Sequence, residues 1–151
     1  MTLQEAKDYI KENQKKGLQC PCCEGYVKLY KRKLNSGMAK FLIALYKRSQ
    51  TEIPSCIEDI LLDLNTPAKS LDYSVLTHWG LIQRVVIPST EKKHSGLWEI
   101  TPTGREFVLG VAMVAKRVHI INNVVVGFDE EQISIKEALG QKFNYIELMR
   151  T

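Results

Sequence analysis

A chain of 151 residues has the length of one domain, or of one domain with a small appendage, and its 44% apolar content is ample for a packed core. The charged share is 25% and the formal net charge +4, a mild basic excess that is compatible with nucleic acid without assigning it. No apolar run approaches the roughly 18–20 residues of a membrane span, and residues 1–16 lack the apolar core of a signal peptide, so neither a span nor a secretory leader is expected.

Residues 2–16 carry Leu3, Ala6, Tyr9 and Ile10 at helical spacing, a thin stripe on a segment rich in Lys, Glu and Gln. A helix this short and polar is marginal on its own. Leu18 to Gly25 follows, with Cys20, Cys22 and Cys23 clustered around Pro21. Adjacent thiols in a chain without a leader predict a reducing compartment, and hence a cytoplasmic protein. The Cys20–Cys23 pair has Cys-x-x-Cys spacing and resembles the first half of a zinc ribbon, which implies zinc on Cys20, Cys22 and Cys23. Zinc takes four ligands, and no second Cys-x-x-Cys is present. Cys56, His78, His94 and His119 remain as distant candidates to complete the set. The other reading makes these structural thiols in a turn, and the residues leave both open.

Tyr26, Val27, Leu29 and Tyr30 alternate with basic residues and predict a short strand leading into a basic turn at Lys31-Arg32-Lys33. Such a segment suits either nucleic acid, through stacking and phosphate neutralisation, or a charged strand edge that discourages aggregation. Between Gly25 and Thr51 stand Lys28, Lys31, Arg32, Lys33, Lys40, Lys47 and Arg48 and no acidic residue; Glu52 to Asp72 is predominantly acidic. The asymmetry suggests one positive face.

Asn35 or Ser36 caps a helix to about Gln50, with Met38, Phe41, Leu42, Leu45 and Tyr46 on its buried stripe. Ser55 and Glu58 predict a capping box for a second helix over Ile57, Ile60, Leu61 and Leu64. A third helix spans 72–79, with Val75, Leu76 and Trp79 inward and Tyr73, Ser74, Thr77 and His78 outward, stopped by Gly80. Two strands, 80–87 and 96–101, flank a polar loop carrying Lys92, Lys93 and His94. Thr101-Pro102 then opens a helix bearing Phe107, Val108, Val111 and Val114.

In "WGLIQRV", a polar loop and "SGLWEITPTGREFV", residues 36–112 resemble the winged helix-turn-helix family. The resemblance implies an α+β fold in which 35–115 form the winged core and 72–79 is the recognition helix. It implies binding of double-stranded DNA through Tyr73, Ser74, Thr77 and His78, with Lys92 and Lys93 of the wing on phosphates, as in a bacterial or phage transcriptional regulator. A homodimer would form on the helix after the wing. Winged helices also serve as protein-interaction modules, for instance in phage or accessory factors. Helix 72–79 carries none of the Arg, Lys, Asn or Gln side chains that usually read base edges, so that alternative stays open.

Residues 1–34 then form an N-terminal helix and Cys-rich turn, and 116–151 a C-terminal appendage. In the latter, Val118–Ile121 and Val124–Phe128 flank Asn122-Asn123 as a hairpin. Ser134-Glu137 and Asn144-Glu147 start two short helices. The hairpin is placed to bring His119 toward Cys20 and Cys23. No phosphate loop, His-Glu-x-x-His or nucleophile-elbow string occurs, and no enzymatic activity is expected.

Overall fold

A computed structural model describes residues 1–50, 55–64, 73–85 and 97–150. The fold mixes helices with small antiparallel sheets and divides into two compact units, 1–33 with 116–131, and 34–115 with the C-terminal segment from Gln132. No helix among the described residues is long and apolar enough to cross a membrane.

The first unit begins with α1 (Leu3–Asn13), capped by Thr2, whose side chain accepts the Glu5 amide hydrogen at 3.1 Å. Only Ala6 of this helix is buried, as its thin apolar stripe suggests. A two-stranded ribbon follows, β1 (Leu18–Gln19) against β2 (Tyr26–Val27), with the cysteine turn at its tip. Leu18, Cys20 and Val27 make a small core to which Ile10 and Ile121 add. Lys31-Arg32-Lys33, expected as a turn, instead belongs to β3 (Tyr30–Lys33). This strand pairs antiparallel with β8 (Arg117–Ile121), which pairs in turn with β9 (Val124–Phe128). Ladder hydrogen bonds from a strand distant in sequence thus extend a segment whose own charges read as a turn. The β8–β9 connection is Asn122-Asn123, both at positive φ (51° and 64°). A two-residue hairpin turn demands that conformation, and Asn tolerates it better than other side-chain-bearing residues.

The second unit is built on α2 (Ser36–Ser49). Asn35 caps it, accepting the Met38 amide hydrogen at 2.9 Å. Its burial exceeds the predicted stripe, since Ala39, Ile43 and Ala44 are buried along with Met38, Phe41, Leu42 and Leu45. The cause is packing around the helix by α3 (Ile57–Leu64), α4 (Pro102–Val108), α5 (Ile135–Leu139) and α6 (Tyr145–Met149). Ser55-Cys56 form β4, pairing with Trp98 and Leu97 of β6 (Leu97–Ile100), and α3 starts directly at Ile57. The expected Ser55 cap is therefore replaced by a strand, where sheet pairing overrides a local capping signal. On its other side β6 pairs with β5 (Ile82–Arg84), giving the order β4-β6-β5.

Thr101 caps α4 by accepting the Gly104 amide hydrogen at 3.0 Å, with Pro102 at the first helical position. The helix ends at Val108, and Gly110 at φ 78° turns the chain away. Val111 is 76% exposed and Val114 belongs to β7 (Val114–Ala115), so neither extends the apolar side expected for this helix. β7 pairs with β10 (Gln132–Ile133). The segment after 116 is thus shared: its hairpin completes the sheet of the first unit, and its short helices pack on α2 in the second. Ser134 and Glu137 form the predicted capping box of α5, and Asn144 caps α6.

Candidate nucleic-acid interface and cysteine turn

Residues 73–79 are wound as a 3₁₀ helix rather than an α-helix. Side chains three apart align in this conformation, which sorts the segment into three rows. Tyr73, Leu76 and Trp79 form the inner row, with Leu76 and Trp79 buried and Trp79 Nε1 donating to the Ala115 carbonyl at 2.8 Å. A period of 3.6 places Tyr73 outward; a period of three turns it inward. Its ring stacks on Phe41 at 5.0 Å and meets Trp98 edge-on at 5.7 Å. Ser74 and Thr77 form the exposed row, and the Thr77 hydroxyl donates to the Ser74 carbonyl at 2.7 Å. Val75 and His78 make the third, half-buried row.

Behind this helix, Thr101 donates its hydroxyl to the Gly80 carbonyl at 2.6 Å and its amide to Leu81 at 3.1 Å. The Arg84 guanidinium lies 5.0 Å from the Trp98 ring centre, and Gln83 Nε2 donates to Glu99 Oε1 at 2.5 Å. Lys92, Lys93 and His94 lie outside the described residues.

The basic residues of α2 are engaged within their own unit. Arg48 forms a two-pronged bond to Asp63 at 2.6 and 3.0 Å and also reaches the Asp59 carbonyl at 3.2 Å, while Lys47 donates to the Arg150 carbonyl at 2.8 Å. Lys40 sits 4.7 Å from the centre of the Phe143 ring.

In the first unit, pairing of β3 with β8 sets Lys31 beside His119 and Lys33 beside Arg117, so one sheet face is cationic. Lys31 and Lys33 are exposed. Asp129 holds this face together, accepting from Arg117 at 3.1 Å and bonding His119 Nε2 at 2.6 Å. The His119 hydrogen bond, aided by Arg117, holds the Asp129 carboxyl below its ordinary value of 3.8, against the opposing effect of its burial. A lowered carboxyl pKa contributes stability that is complete above the unfolded value and lost as pH falls through the folded one. The β8–β9 hairpin of the native chain should therefore loosen below pH 3.8. Asp129→Asn should remove that acid response, as read from Val118 and Val124 methyl resonances. An unchanged acid response in the variant would refute the assignment.

At the ribbon tip, the Cys20 amide donates to the Gly25 carbonyl at 2.7 Å and the Glu24 amide to the Cys20 carbonyl at 2.9 Å. Glu24 sits at φ 64°, closing a turn that wraps around sulfur. The Cys22 amide points at Cys20 Sγ at 3.4 Å. Hydrogen bonds from the backbone of Cys23 and then Cys22 lower the Cys20 thiol pKa, outweighing its burial. All three thiols are free; Cys20 is buried, Cys22 and Cys23 exposed. This donor set fits a metal that prefers thiolate, such as zinc, but supplies only part of a tetrahedron. Among the described residues no group of three or more His, Cys, Asp or Glu converges as a ligand set, and His119 bonds Asp129. The Cys56 side chain lies outside the described residues, and His78 belongs to the other unit.

The pairing of His119 with Asp129 was not legible in the sequence. Ten residues separate the two, and only the bulged β8–β9 register brings them together. No protein-family model matches the chain, and neither a curated protein nor a solved structure shows significant similarity to it.

Proposed function

We propose that the second unit is a winged helix and that the protein binds double-stranded DNA. The observation that carries this reading is topological. Helix α2, strand β4, helix α3, the 3₁₀ helix and strands β5 and β6 follow in that order, and the first strand pairs with the third to give β4-β6-β5. That arrangement, followed directly by α4, agrees with the winged-helix resemblance of residues 36–112. In this reading Ser74, Thr77 and His78 face the groove, Tyr73 buttresses them from behind, and Lys92 and Lys93 contact phosphates.

A specific observation favours a second reading, a winged helix that binds protein. The exposed row of the 3₁₀ helix, Ser74 and Thr77, is uncharged, and the cations of α2 are held by Asp63, Phe143 and the Arg150 carbonyl. Electrophoretic titration against random-sequence duplex at two salt concentrations separates the readings. The DNA reading expects affinity that falls steeply with salt, and a double substitution Lys92→Ala/Lys93→Ala that reduces the log–log salt slope by about two. Failure to bind at low salt would eliminate it in favour of the protein-binding reading.

A further inference from the structure

We propose that the cleft between α2, α3 and α6 binds a small amphipathic monoanion, an aliphatic chain ending in a carboxylate. The site lies within the second unit and does not depend on what Ser74 and Thr77 contact, so it stands or falls separately from the DNA reading.

Helical spacing builds the floor of the cleft. Lys40, Ile43, Ala44 and Lys47 stand at i, i+3, i+4 and i+7 on one face of α2, a lysine at each end and apolar side chains between. Ile43 and Ala44 are buried, and the single methyl group of Ala44 leaves room above the stripe. Leu64 closes one side from the end of α3, and Leu148 closes the other from α6. The space measures about 430 Å³, within the range of roughly 300–1,000 Å³ typical of small-molecule sites.

Polar ties hold both walls in place. The Arg48 fork fastens α3 to α2 through Asp63 and the Asp59 carbonyl. At the two ends of α6, the Tyr145 hydroxyl donates to the Val108 carbonyl at 2.6 Å and Lys47 donates to the Arg150 carbonyl at 2.8 Å. The cleft is therefore set before a ligand arrives, which spares the ligand the cost of ordering it. Helix α6 carries Tyr145, Ile146, Leu148 and Met149 yet buries none of them. Apolar surface that the fold itself leaves uncovered thus lies beside the cleft.

Charge decides the class of ligand. Asp63 is neutralised by Arg48, which leaves Lys40 and Lys47 against Glu147 around the rim, two cations to one anion. Lys47 already gives a hydrogen to the Arg150 carbonyl. The Lys40 ammonium instead lies 4.7 Å from the centre of the Phe143 ring and has no oxygen acceptor among the described residues. A carboxylate supplies both the acceptor and the balancing charge. Its aliphatic chain then follows the stripe over Ile43 and Ala44 toward Lys47, about 10 Å along the helix axis.

The test titrates the full chain with octanoate and reads the methyl resonances of Ile43, Ala44, Leu64 and Leu148. Octanol and octylamine serve as neutral and cationic chains of the same length. Octanoate should shift these four residues to saturation, and octanol should bind at least about tenfold more weakly, for want of a charge-assisted hydrogen bond. Lys40→Met keeps the apolar stem and should weaken octanoate by a similar factor, about tenfold, without changing octanol. Glu147→Gln removes the opposing charge and should tighten octanoate. Ala44→Leu should fill the cleft and abolish binding. Because Ala44 is buried, tryptophan emission in urea checks that variant's fold, and the partly exposed Lys40 carries the decision. Shifts confined to other residues, octanol or octylamine binding as tightly as octanoate, or native affinity in Lys40→Met would each overturn the proposal. So would weaker binding in Glu147→Gln, or failure of octanoate to saturate the native chain.

Discussion

Phe41→Ala should destabilise the second unit by about 3–5 kcal/mol, the range for truncating a buried aromatic side chain. Phe41 is fully buried on α2 and its ring stacks on Tyr73. The loss combines the transfer of the ring from water, the cavity left behind, and an aromatic pair worth about 0.5–1.5 kcal/mol beyond its area. Helices pack around α2 on its other sides, so the site has little room to collapse. A domain is typically stable by about 5–15 kcal/mol, so this one substitution should remove a large share of the unit's stability. Trp79 and Trp98 are the two tryptophans of the chain and both belong to this unit; their emission during urea denaturation therefore reports on it alone. A change below about 1 kcal/mol would contradict the central position given to Phe41. The same substitution should mobilise Tyr73 and weaken whatever Ser74 and Thr77 contact, even though Phe41 lies behind them.

Gly104→Ala should destabilise the same unit by about 2–3 kcal/mol, against the usual sign for a helix interior. In an open helix, alanine in place of glycine is favourable by roughly 1 kcal/mol. At Gly104 a Cβ would run into the Leu81 carbonyl oxygen and lie 2.7 Å from Ile100 Cγ1. The carbonyl cannot retreat cheaply, because it accepts the Thr101 amide hydrogen at 3.1 Å, and Thr101 also caps α4 and bonds Gly80. Steric overlap with fixed backbone outweighs the propensity gain. Glu106→Ala, at an exposed position of the same helix, serves as the control and should stay within about 0.5 kcal/mol of the native chain. Equal stability of the Gly104 and Glu106 variants would show that α4 and the Leu81 backbone are not in close contact.

The two substitutions probe the same arrangement from opposite sides. Phe41 supports the 3₁₀ helix through Tyr73, and Gly104 lets α4 approach the chain that leaves that helix at Gly80 and Leu81. In the DNA reading both should reduce binding without touching DNA, because the exposed row keeps its geometry only while the inner row is packed. In the protein-binding reading they should reduce partner affinity in the same way. They test the scaffold, and the salt titration tests the ligand.

Features whose information lies within a few residues were set by the sequence itself. Asn35, Thr101, Ser134 and Asn144 cap their helices because each side-chain oxygen reaches an amide three residues on. Asn122-Asn123 turns the hairpin because Asn accepts positive φ. The mixed α and β composition, the helix over 36–49 and the hairpin strands follow from periodicity of the same short range. Only tertiary structure decided the rest. It drew Ser55 out of a cap and into a strand, gave Lys31 to Lys33 a partner in β8, and joined His119 to Asp129. It also wound 73–79 with a period of three, packing the half-buried Tyr73 ring against Phe41 and Trp98 and leaving Ser74 and Thr77 outside. In each case the deciding energy came from strand pairing or burial against residues distant in the chain, and no local pattern encodes which distant partner a segment will meet.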